Sequence, residues 1–110
     1  MIADDNETWL LEAGHAVIEK RVAAGGLPHA PRERLIHCLW VADYGMRNAG
    51  DLATAADLHP LFREDGLAAA RELALPCATA AFGLSIDELE RNYFELFDGI
   101  IAEIKGRASA

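Results

Sequence analysis

Apolar residues in this chain recur at three- and four-residue intervals rather than in alternation, and the intervals break at glycines and prolines. The acidic start Asp4, Asp5, Asn6 and Glu7 supplies cap oxygens and first-turn negative charge, and a helical pattern runs from there to the Gly25-Gly26 stop. Trp9, Ala13, Ala16 and Val17 mark one side of this first helix, and Leu11, Ile18 and Val22 mark another. Two apolar sides call for two neighbours, one of which is a second subunit if the chain forms a homodimer.

Residues 25–31 read as a loop. Pro31 then suits the first position of a second helix that runs to about Ala49 and ends at Gly50. Asp51 is expected to cap a short helix ending at His59-Pro60, followed by a helical stretch from about Pro60 to Leu75 that is interrupted or bent near Gly66. Pro76 resets the chain, and a brief turn or helix leads to Gly83. Ser85-Ile86-Asp87-Glu88 forms a capping box for a last helix to about Lys105. No strand-like alternation persists, so the expectation is all-α: a single helical domain over residues 1–110, a compact bundle of four to six helices.

The second helix is expected at the centre. Leu35, Leu39, Ala42 and Met46 form one apolar stripe, Ile36, Trp40 and Tyr44 a second, and Cys38 and Val41 extend the arc. Asp43 projects into that arc with Arg47 one turn on, in the favourable acid-before-base order. Burying one charge alone is expensive, so the two are expected to pair and to take further hydrogen bonds from Tyr44 or Asn48. The last helix carries Ile86, Leu89, Tyr93, Leu96, Phe97, Ile100, Ile101 and Ile104 on a face widened by Phe94, broad enough for core plus a partner surface. Glu90 reads as a carboxylate satisfied at the edge of the core.

Composition supports this picture: 52% of the residues are hydrophobic, and alanine and leucine lead that fraction. Eighteen carboxylates against ten Lys and Arg leave a formal charge of -8, which opposes attraction to nucleic-acid phosphates and anionic membranes. Cys38 and Cys77 show no metal-ligand spacing and are expected to be reduced core thiols. The start of the chain is acidic where a signal peptide would be basic, and no apolar run reaches the roughly 18 residues of a membrane span, so a cytoplasmic location is expected.

Catalytic groups are sparse. Glu12-Ala13-Gly14-His15 has the Glu-x-x-His spacing of di-iron bundles, but a second copy and facing carboxylates are missing, so neither a metal nor another cofactor is expected. Ser85 is a cap rather than a nucleophile, His29 and His59 sit beside prolines, and His37 lies beside Glu33 on a polar arc. The glycines match no phosphate-binding fingerprint. One polar cluster remains as a candidate binding site: Asp43, Tyr44, Arg47, Asn48 and Asp51, where the second helix ends and the next begins. There Arg47 would grip a carboxylate or phosphate, with backbone donors added by the Asp51-capped helix start. The same residues equally describe a structural turn, with Asn48 near the helix end, Gly50 left-handed and Asp51 as cap.

The stretch Leu35 to Asp51, LIHCLWVADYGMRNAGD, resembles the central segment of a bacterial family of small helical proteins that includes an acidic DNA mimic. In that family an aromatic-containing helix leads into an Asn-Gly-Gly-Phe motif. Asn48-Ala49-Gly50 stands at the Asn-Gly-Gly positions, Asp51 at that of the phenylalanine, and Trp40 upstream. The resemblance implies a helical dimer without catalytic residues whose carboxylates imitate a phosphate array. Asp87, Glu88, Glu95 and Asp98 offer such a row, interrupted by Arg91 and Lys105. The functional expectation is thus a non-enzymatic interaction module with a protein partner, in one form an acidic regulator of a basic partner. A small-ligand protein or enzyme using Asp43, Arg47 and Asp51, and a structural subunit of an oligomer, are the alternatives.

Overall fold

Residues 5–23, 25 and 30–108 are described by a computed structural model of the chain. They form six helices, α1 (Asp5–Ala23), α2 (Pro31–Ala49), α3 (Ala53–Leu58), α4 (Phe62–Leu73), α5 (Pro76–Phe82) and α6 (Ile86–Ala108), with no strand among the described residues. Most of the predicted punctuation falls where the sequence puts it. Pro31 and Pro76 open α2 and α5, where the missing N–H costs nothing, and Gly50 ends α2 at φ 75° with its N–H on the Met46 carbonyl. Ser85 and Glu88 exchange the capping-box bonds, Ser85 Oγ accepting from the Glu88 N–H at 3.2 Å. Pro28, His29 and Gly26 lie outside the described residues.

Two expectations are corrected. The helix is not interrupted at Gly66, because α4 continues through it. The absent Cβ there makes room for the Phe82 ring, two of whose atoms lie 2.7 and 2.8 Å from where a methyl would sit. Cys77, expected in the core, is exposed at the start of α5, whereas Cys38 is buried; neither forms a disulfide.

α2 occupies the middle, packing against α1, α3, α4 and α6, and its Leu35, Ile36, Cys38, Leu39, Val41 and Ala42 are sealed from solvent. α2 approaches α1 tightly at Gly14, where an added Cβ would lie 2.3 Å from Cδ1 of Trp40. On α1, Leu10 and Val17 join the core, but Leu11 and Val22 do not, so the second apolar side faces outward within one chain. α6 closes the opposite side with Leu89, Tyr93, Phe97, Ile100, Ile101 and Ile104. Six large aliphatic and aromatic side chains buried from one helix contribute on the order of 10 kcal/mol of apolar transfer.

α6 also supplies polar closure. Neither α3 nor α5 has a cap from its own N-cap side chain. Glu90 accepts the Leu52 N–H at 2.8 Å, and Glu103 accepts those of Cys77 and Ala78 at 2.7 and 2.9 Å. Carboxylates on one long helix therefore answer the orphan donors at the starts of two short ones. α4 ends differently, on Ala74 at φ 57°, with the Leu75 N–H returning to the Ala70 carbonyl.

Candidate functional site

The predicted Asp43–Arg47 pair is present. The carboxylate of Asp43 is buried, and the Nε–H of Arg47 lies between its two oxygens, 2.9 Å from Oδ1 and 3.0 Å from Oδ2. The third partner differs from the expectation. Tyr93 of α6 donates its hydroxyl to Oδ1 at 2.7 Å, while the Asn48 side chain donates instead to the Tyr44 carbonyl. Tyr44 cannot reach Asp43 because its successor position turns it outward, leaving it 43% exposed. The Arg47 guanidinium also rests 5.0 Å from the ring centres of both Phe94 and Phe97, and Glu7 of α1 approaches its Nε to 3.5 Å.

Burial, and then the charge and hydrogen bond of Asp43, push the Tyr93 hydroxyl well above the usual tyrosine range, with Arg47 pulling the other way. Tyr93 therefore stays a protonated donor and Asp43 an acceptor, which makes the trio a tie between α2 and α6 rather than an acid–base pair. Cys77 is likewise held as a thiol: its hydrogen bond to Glu103, and that carboxylate's charge, raise its pKa, the opposite of what an activated nucleophile needs.

Above the tie lies a depression of about 340 Å³ lined by Glu7, Leu11, Trp40, Asp43, Tyr44, Arg47 and Asn48. Four of the five predicted site residues meet there. Asp51 does not, and its Oδ1 accepts the Ala53 N–H at 3.2 Å one turn beyond the end of α2. Positions 37, 40 and 44 fall on one side of α2, and their rings form a ladder: Trp40 lies 5.8 Å from Tyr44 and 6.4 Å from His37, tilted by only 21° and 16°. His59 meets His37 edge-on, and Trp40 rests on the bare backbone of Gly14. Leu11 from α1 and Tyr44 from α2 line the depression at 44% and 43% exposure, and Phe94 from α6, 51% exposed, lies against the Arg47 guanidinium.

Sequence reasoning missed Glu7, Leu11 and Tyr93 here. Tyr93 had a signal, since a tyrosine at the middle of an apolar face needs a buried acceptor and Asp43 was the one carboxylate set in another apolar arc. Leu11 and Glu7 had none, because nothing local says which side of α1 turns to α2. Glu12, His15 and Glu19 are exposed on α1, and no group of three or more His, Cys, Asp or Glu among the described residues is placed to hold a metal. On α6, Asp87, Glu88, Glu95 and Asp98 are exposed with Arg91 among them. Glu88 serves the capping box and Asp98 accepts the Asn6 amide.

Comparison with known proteins found no family, no curated protein and no solved structure that matches the chain. No described helix is long and apolar enough to cross a membrane.

Proposed function

We propose that this protein is a non-enzymatic helical interaction module, and that a protein partner docks on the face formed by α1, α2 and α6 around the Trp40–Tyr44 depression. The observation that carries the reading is that Leu11 and Tyr44, each about half exposed, line one concavity, while the half-exposed Phe94 of a third helix packs against Arg47 of that lining. Aromatic anchors beside a pocket, with charged groups at the margin, are what protein interfaces concentrate. The floor is fixed by the Asp43–Arg47–Tyr93 tie, so little ordering cost falls on this side when a partner binds.

A ligand clamp at Arg47 is less well supported, since that guanidinium already has Asp43, Glu7 and two rings around it. The test is site-specific cross-linking in a lysate of cells that make the protein, with a benzophenone side chain at position 44 and, as control, at the exposed Glu64 of α4. Position 44 should give one discrete adduct and position 64 none. Leu11→Ser with Phe94→Ser should abolish the adduct while the circular-dichroism spectrum is kept. The same adduct from both positions, or one that survives the double substitution, rejects the reading.

A further inference from the structure

We infer that the segment received by this face presents a basic side chain, whose aliphatic stem lies along Leu11, Trp40 and Tyr44 and whose charged head reaches Glu7; the inference rests on the docking face proposed above. The sign of the charge follows from the lining. Its ionised groups are Glu7, Asp43 and Arg47, two negative and one positive. Arg47 already has carboxylates at 2.9 Å and 3.5 Å, so a further anion approaching it is opposed by both.

Glu7 is the less satisfied of the two acids. Its one ion pair among the described residues is the long contact to a guanidinium whose Nε–H is given to Asp43, and its side chain is 29% exposed at the depression. Two further groups of the lining can accept, the Tyr44 hydroxyl, which can also donate, and the Asn48 amide oxygen. The Tyr44 hydroxyl and the Asn48 amide oxygen take part in no hydrogen bond among the described residues, the Asn48 N–H₂ being turned to the Tyr44 carbonyl. A head group that only donates, as ammonium and guanidinium do, matches this set. The walls suit the rest of such a side chain, since the methylenes of lysine and arginine lie along apolar surface while the head stays polar.

Three other aromatic rings of the protein carry cations: Arg32 and Lys105 lie over Trp9, and Arg47 over Phe94 and Phe97. Trp40 and Tyr44 stack on each other and hold no such cation among the described residues. Leu11 in the lining, and Phe94 beyond Arg47, would meet apolar neighbours of the basic residue, so the occupant is a segment in which the two kinds adjoin. The chain's formal charge of -8 steers such a segment in before contact.

The experiment uses the isotopically labelled full chain and three blocked hexapeptides in which leucine alternates with arginine, glutamine or glutamate, followed by amide and indole chemical shifts. The arginine peptide should move Leu11, the Trp40 indole N–H, Tyr44 and Asn48. It should bind roughly tenfold more tightly than the glutamine peptide, and Glu7→Gln should remove most of that advantage. Equal binding of the arginine and glutamine peptides at these positions overturns the basic side chain and leaves the docking face standing. Shifts from the arginine peptide that scatter over Asp87, Glu88 and Glu95, or that ignore Glu7→Gln, overturn it as well. Silence at these positions with all three peptides counts against both face and occupant. A chain that is dimeric by light scattering, and turns monomeric with Tyr44→Ala, would place a second copy on the face and overturn the basic segment.

Discussion

Tyr93 of α6 donates its hydroxyl to Oδ1 of Asp43 on α2 at 2.7 Å, and Arg47 holds the same carboxylate from the other side. Tyr93→Phe leaves the ring's packing intact and takes one donor from a buried carboxylate, which should cost about 1–3 kcal/mol. Arg47→Ala removes the counter-charge and should cost more, about 3 kcal/mol. In urea titrations the loss for the double variant should fall short of the sum, since both partners act on one group. Strict additivity would show that the tie is not a unit.

Gly14→Ala places a methyl group where Cδ1 of Trp40 now lies, and the ring cannot retreat without leaving its stack with Tyr44 and His37. The gain in helix propensity is about 1 kcal/mol. Overpacking against an aromatic ring costs about 1–3 kcal/mol, so a net loss of stability is expected with a change in Trp40 fluorescence. A stabilised variant with an unchanged emission spectrum would contradict this contact.

The caps supplied by α6 can be removed singly. Glu103→Ala strips the acceptor from two N–H groups at the start of α5 and Glu90→Ala from one before α3, so losses of about 1–2 kcal/mol and about 1 kcal/mol are expected. Hydrogen exchange should speed up at Cys77 and Ala78 in the first variant and at Leu52 in the second. An exchange change spread evenly over the chain would mean the caps are not local.

Ala74 ends α4 at φ 57°, a conformation that costs a residue with a Cβ about 1–2 kcal/mol. Glycine relieves that strain and gives back part of the gain as unfolded-state entropy. Ala74→Gly should therefore raise stability by up to about 1 kcal/mol in thermal or urea unfolding. A destabilised variant would refute the left-handed cap.

Alkaline pH should loosen the fold. Burial, reinforced by the charge of Asp65 and opposed by Arg34, pushes the Cys38 thiol from 9.0 up to about 12, and Tyr93 is raised as well. Below pH 9 the thiol is protonated in both states and its contribution is complete. Between about 9 and 12 the unfolded thiol ionises while the folded one cannot, so stability falls as pH rises. Cys38→Ala should flatten this part of the urea-midpoint profile, and a profile unchanged by the substitution would argue against a buried thiol.

Helix positions were legible in the sequence because their punctuation is local: Pro31, Gly50, Pro76 and Ser85 act within a turn of themselves. The interruption expected at Gly66 is absent because its glycine makes room for Phe82, a ring on another helix, rather than marking a break in the chain around it. Tyr44 and Asn48 were expected at Asp43 for their nearness in sequence, and Tyr93 took the place through a contact between helices that no periodicity encodes. The same holds for the face itself. Residues of α2 could be grouped from spacing, but Leu11, Glu7 and Phe94 join them only through the angles at which α1 and α6 cross α2.

Because Glu90, Tyr93 and Glu103 all belong to α6, the helix that follows the other five in the chain, those five leave the ribosome with their polar debts open. Until it arrives, the N–H groups of Leu52, Cys77 and Ala78 lack their acceptors and Asp43 lacks its tyrosine. A nascent chain arrested before α6 has emerged should therefore be labile to protease, and the region of the proposed docking face, which needs Phe94 and a fixed Arg47, forms in the step in which α6 docks.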